Sequence, residues 1–466
     1  MPLQFPPGLM VSVSGFRGRV GRPLTPELIA GLAAAYGAFL QEEGDGDLIV
    51  VGRDSRTSGP MLESAVVAGL TSVGCQVVRL GIVPTPTILL AVEDAGAAGG
   101  IGVTASHNPA EWNALKFAVG DGTFLPPDRM TRFQEFVQTR DPGRAEWQDL
   151  RRPTDDLDAI ERHLEQILSL SLLEQQKIGD RRLRVALDCV HGAGGLIMPD
   201  LLARLGCEVH AIGTPADGLF PRDPEPTADS LSELGALVRA TEADIGFAVD
   251  PDVDRLSLVD ETGQPLGEDL TLALAADVVL RRTPGKVVTN LSTSRVVEDV
   301  AVSHGCELVR SAVGEINVAS KMIEVGAVVG GEGNGGVILP ALHHTRDAPV
   351  GAALLLQYLV DEEGSLSQRV GALPSYEIVK EKVEFPREHL GAAYAALKQQ
   401  MGAAGADETD GLRLAWPDEG SWLHVRPSGT EPVVRLIAEA PTAEKARELV
   451  DTARHSLEGV VAGRSS

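Results

Sequence analysis

The chain has 466 residues and a formal net charge of -25 at pH 7, with 43% hydrophobic and 23% charged residues. It is too long for one ordinary domain and predicts three or four, each able to bury a core. An acidic field of this size argues against a general partner for nucleic acid or an anionic membrane, but a small anionic substrate remains accessible to cations gathered locally.

The N-terminus, Met1-Pro2-Leu3-Gln4-Phe5-Pro6-Pro7, shows no charged region followed by a long apolar stretch. The apolar run over residues 272–280 is short and broken by Asp277, so no membrane span is predicted and a cytoplasmic protein is expected. Four cysteines without close pairing predict neither a disulfide framework nor a zinc site. Three of them recur in one context, as Gly74-Cys75, Gly206-Cys207 and Gly305-Cys306, each between a helical pattern and an apolar β-type run. That repetition predicts one α/β unit used three times, with glycine ending the helix and cysteine as a small buried hydrophobe.

In chain order, residues 11–20 read as a short strand entering a glycine-flanked basic loop around Arg17, and Thr25-Pro26 then cap and start a helix to about residue 40. A strand at 48–51 leads to a second basic loop containing Arg53 and Arg56, which could equally form structural ion pairs and stand outside the candidate site. A helix at 60–73 and strands at 77–80 and 97–103 follow. Alternation of this kind predicts a parallel, helix-covered sheet with ligands at the carboxyl ends of its strands. One long helix is expected over 156–173, a second unit over strands 183–188 and 245–249, and a third over strands 286–290 and 326–329. After Leu373-Pro374 the rhythm changes to an α+β pattern. The expected units are 1–152, 153–255, 256–372 and 373–466.

Four loops carry candidate chemistry. Thr104-Ala105-Ser106-His107-Asn108-Pro109 exposes a serine beside a histidine at the end of a buried strand; the alternative is a plain turn. Asp250-Pro251-Asp252-Val253-Asp254-Arg255 offers three carboxylates, an oxygen-only set that favours Mg²⁺ over Zn²⁺ and lacks the glycine and distal glutamate of a calcium loop. Its alternative is a solvated acidic turn. Gly331-Glu332-Gly333-Asn334-Gly335-Gly336 sets a carboxylate and an amide between glycines, a combination suited to sugar hydroxyls. Arg426-Pro427-Ser428-Gly429-Thr430 is a small anion nest fitted to a phosphate, or else a polar hairpin.

In this order, over essentially the whole chain, the four loops resemble the α-D-phosphohexomutase family, which includes phosphoglucomutases, phosphomannomutases and phosphoglucosamine mutases. The resemblance implies three related α/β domains with mixed, mainly parallel sheets and a C-terminal α+β domain around a central cleft. It implies that Ser106 carries a phosphoryl group and joins Asp250, Asp252 and Asp254 in holding one Mg²⁺, with Arg255 and Arg17 touching the phosphoryl group. After Pro109 the family motif continues to an asparagine and a lysine, matched by Asn113 and Lys116, which implies acid/base work for Lys116, with a plain phosphate counter-charge as the alternative. His107 either moves a proton or orients the loop, and we favour orientation. Glu332 and Asn334 would read the sugar, and Arg426, Ser428, Gly429 and Thr430 the unreactive phosphate. The implied reaction interconverts hexose 6-phosphate and hexose 1-phosphate through a hexose 1,6-bisphosphate, in a monomer or homodimer. Glu332-Gly333-Asn334 stands where many members have Glu-x-Ser, and Gly314-Glu315 where some have Gly-His. The first departure resembles a branch often assigned to glucosamine or mannose phosphates; the second is closer to the glucosamine branch, with Glu315 either facing an ammonium group or standing as a plain surface carboxylate, and a mannose or glucose phosphate is the alternative substrate. A phosphatase and a non-catalytic sugar-phosphate sensor are the rival readings.

Overall fold

The computed structural model describes residues 2–427 and 433–462. The described residues form four sheets, of seven, four, four and five strands. In the first, Leu48–Arg53 lies between Gln76–Ile82 and Gly99–Val103, all parallel, and Trp112–Val119 returns antiparallel beside Gly99–Val103. The second repeats this plan with Arg184–Asp188 between Glu208–Ile212 and Ile245–Val249, and Leu256–Val259 as the return. The third uses Val287–Asn290, Leu308–Ser311, Val329–Glu332 and Gly336–Ile338 in the same places. The serine loop, the aspartate loop and the Glu332 turn therefore occupy one equivalent position, the carboxyl end of the last parallel strand, where such sheets bind ligands.

The glycine–cysteine repeat marks the flanking strand of each unit. Gly74, Gly206 and Gly305 take φ of 85°, 82° and 67°, left-handed values that favour glycine. The following cysteine N–H groups donate back to Leu70, Leu202 and Ala301 at 3.2, 3.0 and 2.9 Å, closing the helices. All four cysteines are free, and burial pushes the Cys75 thiol up to about 11 and that of Cys207 to about 12. The buried position that the repeat predicts is met at Cys75, whereas Cys207 and Cys306 are only half-buried, because their flanking strands lie at the edges of their sheets.

The first helix is Pro26–Glu43, capped by Thr25 as its sequence predicts. Three expectations are corrected. The basic loop around Arg17 is a strand, Gly15–Arg19, paired with Trp112–Val119 and with Met10–Ser12; fully buried Phe16 anchors it to the core. The long helix over 156–173 is divided: Thr154–Asp155 extends the first sheet, and Ala159–Leu168 and Gln175–Arg181 are separate helices. Leu170, Leu172 and Leu173 between them are all buried, and turning the chain delivers all three to the core. Finally, Leu256–Val259, which opens the expected third unit, completes the second sheet, so a division at 255/256 would cut a hairpin.

The fourth unit is an antiparallel sheet of Glu377–Glu384, Val433–Ala440, Ser421–Pro427, Leu412–Trp416 and Gly405–Asp407. Helices Leu390–Met401 and Ala443–Ala462 cover one face and share its core with Val379 and Val383. Strand alternation then turns Lys380 to the opposite face, toward the cleft. This unit docks on the third through Ser292 Oγ to His424 Nδ1 at 2.8 Å, the Val313 N–H to Asp410 Oδ2 at 3.0 Å and the Arg295 N–H to Glu439 Oε2 at 2.9 Å. Among the described residues no helix is long and apolar enough to cross a membrane.

Candidate active site

The fully buried strand Gly99–Val103 carries the chain into the serine loop, where Ser106 adopts φ of 50°, a conformation uncommon for a residue with a side chain. Its Oγ donates to Asp250 Oδ2 at 2.7 Å and lies 3.3 Å from His107 Nδ1. The aspartate loop is strained in the same sense, because β-branched Val253 takes φ of 63°. That turn lets Asp250 Oδ1 accept the N–H groups of Asp254 and Arg255 at 3.1 and 3.2 Å. Two residues that lie close in sequence thus clamp the loop that the serine faces.

Asp250, Asp252 and Asp254 are wholly buried, and one oxygen from each falls within 4.8 Å of the others. Lys116 Nζ donates to Asp252 Oδ2 at 2.8 Å and lies 3.6 Å from Asp254, Thr85 Oγ1 donates to Asp252 at 2.8 Å, and Arg346 donates to Asp254 Oδ2 at 2.6 Å. Asp252 Oδ1 and Asp254 Oδ1 are buried without a hydrogen-bond partner. Two orphaned carboxylate oxygens beside a third carboxylate fit a hard divalent cation, which would satisfy them.

Burial together with Asp254 and Asp252 drives the Asp250 carboxyl well above the ordinary range. Burial would raise Asp252 too, but Lys116 overcomes it and holds that carboxyl low. Burial pulls Lys116 down, yet Asp252, Asp254 and Glu315 raise it overall. It is an ammonium at neutral pH. His107 is pushed down to about 2 by burial and by Arg255 and Arg17, so its ring is neutral and suited to orienting the loop.

Facing this floor, Glu332 Oε1 accepts from Asn290 Nδ2 at 2.8 Å and the Gly314 N–H at 3.0 Å, and Oε2 accepts from Arg346 at 2.8 Å. Asn334 borders the same cleft. Gly333 is required by close approach, since a Cβ there would lie 2.0 Å from Asp269 Oδ1. Glu315 stands on the cleft wall, but Thr345 Oγ1, the Arg346 N–H and Arg346 Nε at 3.2 Å already engage its carboxylate. A substrate ammonium would share that carboxylate with the arginine. Arg426 donates to Asp410 Oδ2 at 2.6 Å and also lines the cleft; Ser428, Gly429 and Thr430 lie outside the described residues.

Asp269 itself is buried beneath the Glu332 turn and accepts the Ser294 N–H at 2.7 Å. Its carboxyl is pushed up to about 7, chiefly by burial. Above about pH 4 the unfolded chain releases this proton while the folded chain keeps it to about pH 7, so the contribution to stability falls as pH rises through that window. Asp269→Asn is expected to remove the slope, giving a higher melting temperature than wild type at pH 8 and convergence near pH 4 in a thermal-unfolding series.

The cleft has a volume of about 460 Å³ and gathers Arg17, Ser106, His107, Lys116, Arg255, Glu315, Glu332, Asn334 and Arg426 from all four units. Family models for the phosphoglucomutase/phosphomannomutase α/β/α domains I, II and III match residues 9–143, 161–263 and 267–376, and that for the C-terminal domain matches 379–456. The chain belongs to the phosphoglucomutase/phosphomannomutase family. A probable phosphoglucosamine mutase of Methanopyrus kandleri is 38% identical, over 97% of this chain and 99% of that one. A phosphoglucomutase/phosphomannomutase of Thermococcus kodakarensis is 37% identical over 98% and 100%, and a phosphoglucosamine/phosphogalactosamine mutase of Sulfurisphaera tokodaii is 33% identical over 97% and 100%. Among solved structures, a family protein from Burkholderia thailandensis aligns with a TM-score of 0.83 at 29% identity, covering 97% of this chain and 99% of that one.

Membership in the family does not by itself reveal several residues that the fold brings to the cleft. Arg346 joins Asp254, Glu332 and Glu315, and Glu225 pairs with Arg255 at 2.7 Å. Lys380 and Arg435 line the cleft from the fourth unit and form no ion pair with another described residue. The Thr345-Arg346-Asp347 triplet carried no recognised pattern, and Lys380 and Arg435 sit in strands whose alternation reads as solvated surface.

Proposed function

We propose that the chain is a phosphohexomutase that interconverts hexose 6-phosphate and hexose 1-phosphate through a phosphoryl group carried on Ser106. The observation that carries this reading is the placement of Ser106 Oγ against the buried triad, on the floor of a cleft whose far walls hold the Glu332 turn and the cations of the fourth unit. In the first half-reaction a sugar hydroxyl oxygen forms the new P–O bond as the P–O bond to Ser106 breaks, and the net proton transfer is from that hydroxyl to the released Ser106 Oγ. In the second, Ser106 Oγ forms the P–O bond as the bond to the sugar's other oxygen breaks, and the proton that Ser106 gives up ends on that sugar oxygen. Arg17 and Arg255 flank the phosphoryl group and offset its charge. Lys116, an ammonium held 2.8 Å from Asp252, supplies acid and counter-charge. Asp250, Asp252 and Asp254 would hold one Mg²⁺, which when bound supplies Lewis-acid stabilisation to phosphoryl oxygens. The rest of the work is positioning and charge stabilisation.

The bisphosphate must turn round between the two transfers, so the cleft must grip a phosphate far from Ser106. Arg426, Lys380 and Arg435 form that grip, with Ser428, Gly429 and Thr430 assigned to it by the motif. Lys380→Ala and Arg435→Ala are each expected to raise KM about tenfold with kcat within threefold, since they remove a charge-assisted hydrogen bond made in ground and transition states alike. Steady-state kinetics with the 6-phosphate substrate check this.

The sugar is assigned to glucosamine on the names of the relatives and on the Glu332-Gly333-Asn334 turn, with mannose and glucose phosphates as the alternative. A coupled assay of Mg²⁺-loaded protein against all three, primed with hexose 1,6-bisphosphate, ranks them. Release of free phosphate without isomerisation would mark a phosphatase, and tight binding without conversion a sensor.

A further inference from the structure

By sequence Arg56 could equally be a structural ion-pair residue, and its surroundings show more. It is completely buried, although the second basic loop lies at the sheet edge. A guanidinium has five N–H donors, and here each meets an acceptor. Nε donates to Asp54 Oδ2 at 3.0 Å, one terminal nitrogen to the carbonyls of Pro109 and Trp112 at 2.6 and 3.0 Å, and the other to those of Ser106 and Asn108 at 2.6 and 2.5 Å. Four of the five acceptors are thus carbonyls of the serine loop and the segment that follows it. The Phe220 ring, from the second unit, stacks 5.1 Å over the same guanidinium.

Asp54 reaches Ser106 from the other side. Its Oδ2 accepts the Thr104 hydroxyl at 2.7 Å, and Thr104 Oγ1 in turn accepts the Ser106 N–H at 3.0 Å. One buried carboxylate thereby fixes both peptide groups of Ser106, the N–H through Thr104 and the C=O through Arg56. This double grip acts at the residue whose backbone is left-handed, at φ of 50°. A side chain in that conformation persists only where its surroundings over-determine it. None of these contacts touches Oγ, which is left for Asp250.

We propose that Asp54 and Arg56 are positioning residues for phosphoryl transfer: they hold Ser106 in its left-handed conformation so that Oγ is presented to the triad. The inference rests on the reading of Ser106 as the phosphoryl carrier. Lysine cannot reproduce it, because an ammonium has three donors and no planar fork.

The test measures kcat, KM and single-turnover transfer from phosphorylated enzyme to sugar phosphate in wild type, Ser106→Ala, Arg56→Lys and Thr104→Val. Misplacing a reacting atom by about 1 Å costs on the order of 10²-fold in rate. Arg56→Lys and Thr104→Val are each expected to lose between roughly 30- and 100-fold in kcat and in single-turnover rate, with KM within about threefold of wild type. A fall in melting temperature follows from any buried change and decides nothing by itself, so the kcat-to-KM split is the readout. If both variants fold and keep kcat within twofold, or if KM rises in place of the fall in kcat, the positioning role is overturned. Should Arg56→Lys fail to fold, Thr104→Val decides alone, since it severs the N–H grip and leaves the guanidinium in place. An inactive wild type overturns the mutase reading and this inference with it, whereas an active wild type with inactive Ser106→Ala upholds the reading whatever the two variants do.

Discussion

Ser106→Ala is expected to abolish interconversion, with a fall in turnover of roughly 10³-fold or more, while leaving sugar-phosphate affinity and the fold nearly intact. The expectation follows from which atoms hold the loop. Thr104 grips the Ser106 N–H and Arg56 its carbonyl, so deleting the side chain removes only the Oγ contacts to Asp250 and His107. Asp250 keeps the backbone N–H groups of Asp254 and Arg255 and the triad stays assembled. Intact-mass measurement after incubation with hexose 1,6-bisphosphate should show one phosphoryl group on wild type and none on the variant. Titration calorimetry should give affinities within a few-fold of each other. Turnover retained by the variant would remove Ser106 from the mechanism.

The second large effect is expected from Lys116→Met, which acts on catalysis and stability together. Lys116 is the only lysine paired with the triad among the described residues, and a methionine of similar length leaves Asp252 buried with Thr85 Oγ1 as its remaining side-chain donor. Removing one partner of a buried pair costs about 3–5 kcal/mol, because the other charge stays buried and uncompensated. Loss of an acid and counter-charge at the reacting centre costs on the order of 10²- to 10⁴-fold in kcat. The two losses should respond differently to Mg²⁺. A divalent cation at the triad takes over the neutralisation of Asp252, so saturating Mg²⁺ should restore much of the variant's melting temperature but little of its kcat. A melting temperature insensitive to Mg²⁺ in both proteins would argue that the triad does not hold the ion.

The local signals were legible for local reasons. Thr25 and Pro26 start a helix through their own backbone geometry, and the glycines before Cys75, Cys207 and Cys306 end helices through a left-handed φ that few other residues adopt. The four loops were readable because each packs its chemistry into a few consecutive residues. The strand at Gly15–Arg19 was missed because its pairing with Trp112–Val119 comes from far along the chain. The division of the expected 156–173 helix was missed because it depends on a core that Leu170, Leu172 and Leu173 enter from a turn. Arg56 was set aside because a basic residue beside an acidic one reads as an ordinary ion pair; only the fold shows that its other donors reach the carbonyls of residues 106–112.

By itself, then, the sequence determined the repeated α/β unit, since capping and periodicity are set by near neighbours, and its four loops carried the resemblance to the family and to its chemistry. Tertiary structure decided which charges meet. Ser106 reaches Asp250 across 144 positions and Lys116 reaches Asp252 across 136, because equivalent strand ends of separate sheets converge on one cleft. It also decided that Lys116 is held as an ammonium, that Glu315 is engaged by Arg346, and that Arg346 ties the aspartate loop to the Glu332 turn. Those outcomes depend on burial and on the full set of charges around each group, and neither quantity exists until the units are packed together.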